Sequence, residues 1–173
     1  MEGMEQHSDR VARIMAEWER ERPDLDLAPQ AVFGRLHRLA NHLTEDLVAV
    51  YRTFDLAEGE FDVLATLRRA GVPFERTPGE LAATTMVTTG AMTKRLDRLE
   101  SAGLVRRRVS DEVARARVVA LTEAGRDVID AAFTDHLANE HRLLAELDPA
   151  DVAVLEGVLT RWLALLEDPP TSA

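Results

Sequence analysis

Basic side chains are concentrated in one part of this sequence, between residues 94 and 117. That segment holds four acidic side chains and eight basic ones: Lys94, Arg95, Arg98, Arg106, Arg107, Arg108, Arg115 and Arg117. It therefore carries +4, whereas the whole chain carries −10 and the remainder −14. An acidic body repels polyanions except where a basic segment faces them, so the distribution favours a defined docking face for nucleic acid. The alternative is that these arginines decorate a solvated surface.

Catalytic and metal-binding patterns are missing from the sequence. It has no Gly-rich phosphate loop, no nucleophile elbow and no HExxH pair. His37 with His42, and His136 with His141, are each spaced i, i+5, which puts the partners on different faces of a helix. We therefore expect no enzyme, no cofactor and no metal site.

Helices dominate the elements that must position the basic segment. Apolar residues spaced i, i+3, i+4 and i+7 predict a first helix over about residues 8–21. A second helix of about 26 residues is expected to begin near Pro29 and to reach Phe54. A third ends at Gly71, a fourth opens at Pro78, and a fifth runs from Thr88 or Thr89 to Gly103.

The hydrophobic period then changes, which predicts a small β-hairpin. Residues 104–109 and 115–121 read as short strands joined by the sequence SDEVA. Thr122 is expected to cap a sixth helix, and Asp148 with Pro149 to open the last one. The fold class is therefore mainly α with a small β-hairpin, a winged helix-turn-helix flanked by long helices. Surplus apolar faces on those helices predict a two-fold dimer, with packing inside one chain as the alternative.

Composition sets the remaining limits. The chain has 173 residues, 46% hydrophobic content and no cysteine, which indicates a globular protein without disulfides. Its longest apolar runs are too short to cross a bilayer, and its acidic, polar start is unlike a signal peptide. We expect no membrane association and a cytoplasmic location.

The fifth helix is the candidate recognition helix. Met92, Leu96 and Leu99 share one face and are expected to point into the core. Hydroxyls and amines read base edges in the major groove, so Thr93 and Lys94 are the best candidates for base contact. The candidate DNA-binding residues are Thr88, Thr89, Gly90, Thr93, Lys94, Arg98 and Arg115.

About 70 residues, from Leu56 to Gly125, resemble the MarR family. The matching stretches are EFDVLATLRRAG (60–71), TPGELA (77–82), GAMTKRLDRLESAGLVRR (90–107) and ALTEAGR (120–126). The resemblance implies a homodimer held by N- and C-terminal helices, with a recognition helix and a wing in each half. It divides the chain into N-terminal helices at 1–54, a DNA-binding lobe at 55–121 and C-terminal dimerisation helices at 122–173.

The wing departs from the family pattern. Members usually carry Asp-x-Arg where this chain has Val113, Ala114 and Arg115. The resemblance gives Arg115 a place in the minor groove, but the aspartate that would position it is replaced by Val113. Neighbouring Asp111 and Glu112 either substitute for it or repel phosphate.

The first helix with its tryptophan resembles the urate-responsive branch of the family. That likeness implies a ligand site formed by Trp18, Asp62, Arg95 and Arg107. Two guanidiniums can hold an anion, the indole N–H can donate, and Asp62 can accept a hydrogen bond. Urate is one candidate ligand, and polycarboxylates such as aconitate or citrate are others. The alternatives are core packing for Trp18, a plain ion pair for Asp62 with Arg95, and a phosphate contact for Arg107.

The sequence therefore predicts a ligand-responsive regulator that binds an operator in double-stranded DNA. We expect a repressor that a small anionic effector releases from DNA. The alternative is a regulator-like dimer that acts as a protein-interaction module, with DNA binding weakened by the altered wing.

Overall fold

The computed structural model describes residues 9–86, 88–109 and 117–167. Its elements in chain order are α1 (Arg10–Glu21), α2 (Ala28–Arg52), α3 (Glu58–Arg69), β1 (Glu75–Arg76), α4 (Pro78–Thr84), α5 (Thr89–Ser101), β2 (Val105–Val109), β3 (Arg117–Leu121), α6 (Glu123–Leu144) and α7 (Pro149–Glu167). The mainly helical class predicted from the sequence is confirmed. The chain forms two compact units, Met1–Ala49 and Val50–Ala173. The division at 54 and 121 into functional parts stays a prediction.

The first unit is built from α1 and most of α2. Asp9 caps α1 by accepting a hydrogen bond from the Ala12 amide at 2.8 Å, and Arg35 of α2 pairs with the same carboxylate at 2.7 Å. The hydrogen bond from the Ala12 amide and, to a smaller extent, the hydrogen bond from Arg35 lower the pKa of Asp9. Val11 is buried beside Gly34, where an added Cβ would lie 2.9 Å from the valine Cγ1. A glycine on α2 therefore allows the start of α1 to lie close against it.

The second unit has an aliphatic core shared by α3, α5, the sheet and α6. Leu64 and Leu67 of α3, Leu96 of α5 and Ile129 of α6 are almost completely buried. Each such side chain contributes about 1.5–3 kcal/mol through removal of its surface from water. This core holds the fifth helix in place, and the predicted inward face of Met92, Leu96 and Leu99 is confirmed.

The sheet has three antiparallel strands in the order β1, β3, β2, one more than the predicted hairpin. β2 pairs with β3 from Val105 opposite Leu121 to Val109 opposite Arg117. β1 adds Glu75 opposite Ala120 on the other edge. Two residues are too few to show a period of two, so the sequence pattern did not reveal β1. The predicted turn at 110–114 lies outside the described residues.

Capping side chains fix the starts of α5, α6 and α7. Thr88 accepts from the Ala91 amide at 3.3 Å, and Thr122 accepts from the Gly125 amide at 2.9 Å. Asp148 accepts from the Ala150 amide at 2.8 Å at the start of α7. These hydroxyls and carboxylates satisfy amides that lack a partner within the helix. The caps predicted for α5, α6 and α7 are confirmed.

The two C-terminal helices present a large apolar surface. No residue of α7 is buried, although Val154, Leu155, Leu159 and Leu163 are large apolar side chains. Leu137 of α6 is exposed in the same way. Among the helices described here, none has both the length and the apolar character needed to cross a membrane.

Candidate nucleic-acid interface and effector site

One face of the N-terminal half of α5 is exposed, while Met92 on the opposite face packs into the core. Thr89, Gly90, Thr93 and Lys94 are exposed, because the buried residues of this helix lie on the opposite face. A Cβ added at Gly90 would have no neighbour within 4 Å, so the helix surface is open there. A helix that begins with small, exposed residues can enter a major groove without steric hindrance.

The polar atoms on this face remain able to contact DNA. Thr93 donates its hydroxyl proton to the Thr89 carbonyl at 3.0 Å, which leaves its oxygen lone pairs as acceptors. Lys94 is the single lysine of the sequence and is exposed. An ammonium group at this place supplies donors for guanine acceptors or for phosphate.

Arg98 is tied to α3 through a buried carboxylate. Its Nε lies 2.9 Å from Oε1 of Glu60, and the side chain remains 70% exposed. Oε2 of Glu60 accepts from the Ala57 amide at 2.8 Å and so caps α3 at the same time. The pair holds the arginine in one place, and the exposed part of its guanidinium still faces solvent.

Arg107 of β2 is engaged with two acids of α5. Its Nη2 lies 2.6 Å from Oδ1 of Asp97, its Nη1 contacts Glu100, and its amide donates to Oε1 of Glu100 at 3.0 Å. That amide hydrogen bond is the main reason why the pKa of Glu100 is lowered. The structure therefore joins β2 to α5 through Arg107.

Arg95 and Asp62 approach each other on the side of α5 that faces α3. The Arg95 guanidinium lies directly against Gly59, where an added Cβ would be 2.1 Å from its Cζ. Its Nη1 is buried and has no hydrogen-bond partner among the described residues. Asp62 interacts with Arg95 through space, but no salt bridge between the two is found in the described part of the chain. The two groups therefore interact electrostatically without a direct salt bridge, and their place in a ligand site stays a prediction.

The surroundings of Asp62 raise the pKa of its carboxyl above the ordinary value. Removal from water raises the pKa of its carboxyl, and nearby Glu58 raises it further, against the opposing effects of Arg95, Arg69 and His136. A carboxyl that is more easily protonated can either donate or accept a hydrogen bond.

An aromatic cluster beside Asp62 was not predicted from the sequence. Tyr51 stacks on Phe61 with ring centroids 4.0 Å apart, and its hydroxyl lies 3.2 Å from Nδ1 of His136. Burial, followed by nearby acids led by Asp62, raises the pKa of Tyr51 to about 12. Phe133 and His136 share a helix face, which is the only sign of this cluster in the sequence. The contact to Tyr51 spans 85 positions and depends on the tertiary fold.

The remaining site residues are distributed as follows. Trp18 belongs to the first compact unit and is 50% exposed. Arg115 and Val113 lie outside the described residues. No group of three or more potential metal ligands occurs among residues 9–86, 88–109 and 117–167.

The order of helices around a small sheet, with an exposed α5, matches known proteins. The family model described as "MarR family" matches residues 54–116. The chain is 35% identical to the HTH-type transcriptional regulator PecS of Dickeya dadantii, over 87% of this chain and 91% of that protein. The chain belongs to the MarR family. The resemblance seen in the sequence is thus confirmed at family level, and the urate-responsive branch stays a prediction.

Two further comparisons concern MarR of Escherichia coli. The chain is 32% identical to that protein, covering 75% of this chain and 90% of the relative. A crystal structure of an E. coli MarR mutant in complex with operator DNA has a TM-score of 0.66 at 30% identity. It covers 80% of this chain and 99% of that one. Family and fold together place the chain among winged helix-turn-helix, DNA-binding transcription regulators.

Proposed function

We propose that this MarR-family protein is a dimeric, sequence-specific regulator that a small anion releases from its operator. The observation that carries the proposal is the exposed N-terminal half of α5, held on a packed lobe with Thr93 and Lys94 facing outward. A mutant of MarR of E. coli, a relative in the same family, has been crystallised with operator DNA.

DNA binding by this chain would combine base and phosphate contacts. Thr93 and Lys94 would read base edges, while the amides at the start of α5 and the exposed side of Arg98 would hold phosphates. Thr88, Thr89 and Gly90 would bring the helix end close to the groove. Arg115 would act from the wing, as the family resemblance implies.

Dimer formation would cover the apolar surface of α7. Isolated chains rarely expose so many large apolar side chains on one helix, and a two-fold partner would bury them. A dimer would also place two recognition helices on one operator, so that each helix contacts one half-site.

The effector would bind where Asp62 and Arg95 approach each other. Arg95 belongs to α5, so an anion that draws its guanidinium would tilt the recognition helix and lower DNA affinity. Urate and polycarboxylates such as citrate or aconitate are the proposed ligands, and the part that the family resemblance implies for Trp18 stays a prediction. Arg107 would join them only by leaving Asp97 and Glu100, which makes it the weakest member of the set.

A mobility-shift experiment at fixed salt tests both parts of the proposal. The probe is DNA from upstream of the protein's own gene, with and without urate and citrate. Lys94→Ala should weaken specific binding about tenfold, because one base or phosphate contact is lost. Arg142→Ala, which removes an exposed arginine bonded to Asn139 on α6, is the control and should leave affinity unchanged.

The same experiment, repeated without ligand over a range of salt concentrations, separates the alternative function. If the protein binds no DNA specifically at any salt concentration, the proposal fails and the interaction module is favoured. Specific binding that falls steeply with salt excludes that module, since counterion release marks phosphate contacts.

A further inference from the structure

Gly59 lies where the recognition helix touches α3. It occupies the second position of α3, and the Arg95 guanidinium rests on it. A Cβ at this position would come within 2.1 Å of Cζ, 2.3 Å of Nε and 2.5 Å of Nη2 of Arg95. No side-chain carbon tolerates such distances, so the observed place of the arginine requires glycine at position 59.

The guanidinium is held there with one donor unused. Nη1 of Arg95 is buried and lacks a hydrogen-bond partner in the described part of the chain. A buried donor without a partner is unfavourable unless something else accepts from it. Asp62, one turn further along α3, interacts with Arg95 without forming a salt bridge that would use this donor.

We infer that Gly59 is a positioning residue of the effector site, which admits the Arg95 guanidinium onto α3 while its Nη1 has no hydrogen-bond partner among the described residues and can donate to an anion that enters there. This inference rests on the proposed function, because it names what places the arginine that the effector would draw. Any larger residue at position 59 displaces the guanidinium from its place on α3. The ligand then loses a preplaced donor, and the coupling between ligand and α5 weakens.

The chain supplies a matched control for this idea. Gly79 occupies the second position of α4, as Gly59 does in α3, and a Cβ there meets only Thr77 Oγ1 at 4.0 Å. Gly79→Ala therefore reports the general effect of replacing glycine near a helix start. Gly59→Ala adds the displacement of Arg95 to that effect.

A thermodynamic cycle in the full chain tests the contact without any ligand. Tm is measured for wild type, Gly59→Ala, Arg95→Ala, the double variant and Gly79→Ala. We expect Gly59→Ala to act like Gly79→Ala when Arg95 is absent. With Arg95 present, Gly59→Ala should lower Tm by about 2–4 °C more than Gly79→Ala does. Equal effects in both backgrounds would overturn the inference.

Release from operator DNA by an anion tests whether the placement of Arg95 by Gly59 matters for the effector response. The concentration of urate or citrate that releases half of the DNA should rise at least tenfold in Gly59→Ala, approach that of Arg95→Ala, and stay unchanged in Gly79→Ala. A normal response in Gly59→Ala beside a lost response in Arg95→Ala would overturn the inference and leave the proposed effector site intact. If neither anion releases wild type, the proposed response to these ligands fails, and the Tm cycle still decides whether Gly59 places Arg95.

Discussion

Three arginines of the basic segment are held by carboxylates from neighbouring elements. Arg98 pairs with Glu60 of α3, Arg107 with Asp97 and Glu100 of α5, and Arg108 with Glu75 of β1. The net charge of the segment does not distinguish its eight basic residues. The ion pairs do, because they fix the positions of Arg98, Arg107 and Arg108. Lys94 stands apart, since it is exposed and lies on the outward face of α5.

Lys94 is a site-specific reporter of DNA binding, since it is the only lysine in the sequence. An amine-acylating reagent should modify Lys94 in the protein alone, and saturating operator DNA should slow that reaction at least about tenfold. Peptide mass spectrometry measures the modified fraction, with the N-terminal amine as internal reference. Equal labelling with and without specifically bound operator would contradict the proposed base contact.

Asp62 makes a pH-dependent contribution to stability. Its pKa is raised above the ordinary value of 3.8, chiefly by burial. The folded state therefore holds this proton more tightly than the unfolded state, and stability is lost as pH rises through the folded pKa. We expect Asp62→Asn to be more stable than wild type at neutral pH, and the difference to vanish below the unfolded pKa. Urea unfolding at several pH values measures it, and a constant difference across pH would contradict this account.

At the scale of elements, a close backbone approach joins α6 to the start of β2. A Cβ at Gly125, in the first turn of α6, would lie 1.9 Å from the Leu104 carbonyl oxygen. Backbone cannot swing aside as a side chain can, so the whole helix would have to shift. The hydrogen bond that the Thr122 hydroxyl donates to the same carbonyl, at 3.1 Å, would be disturbed as well.

Gly125→Ala should therefore destabilise the lobe by about 1–3 kcal/mol, the usual cost of forcing extra atoms into a packed contact. Gly157→Ala on α7 is the control, because its Cβ would meet only Arg161 Nη1 at 3.4 Å. That control should change stability little or increase it slightly through helix propensity. Urea unfolding of both variants measures the difference, and a fully stable Gly125→Ala would show that the helix can move.

The helix boundaries followed closely from sequence because caps and stop residues are local. Thr88, Thr122 and Asp148 cap the helices they were expected to cap, and Gly71 and Gly103 adopt positive φ just beyond helix ends. β1 was not foreseen, because a two-residue strand has no period and exists only by pairing with β3.

At the scale of the whole molecule, the exposed apolar side chains of α7 predict self-association. Leu159→Glu should raise the dimer dissociation constant by about a hundredfold or more, because an unpaired charge would enter the interface. Leu159→Met keeps the apolar volume and should dimerise normally. Analytical ultracentrifugation measures the dissociation constant. An unchanged dimer in Leu159→Glu would show that this face of α7 lies outside the interface.

The sequence by itself determined the helices, the pairing strands β2 and β3, the inward face of α5 and the family. These follow from spacing, capping and short motifs, which act over a few residues. Only the tertiary structure decided which charged groups meet. It placed Arg107 on Asp97 and Glu100, Arg95 on Gly59, and Tyr51 beside His136. Such contacts join residues from different elements, and their partners depend on packing geometry that no local pattern encodes.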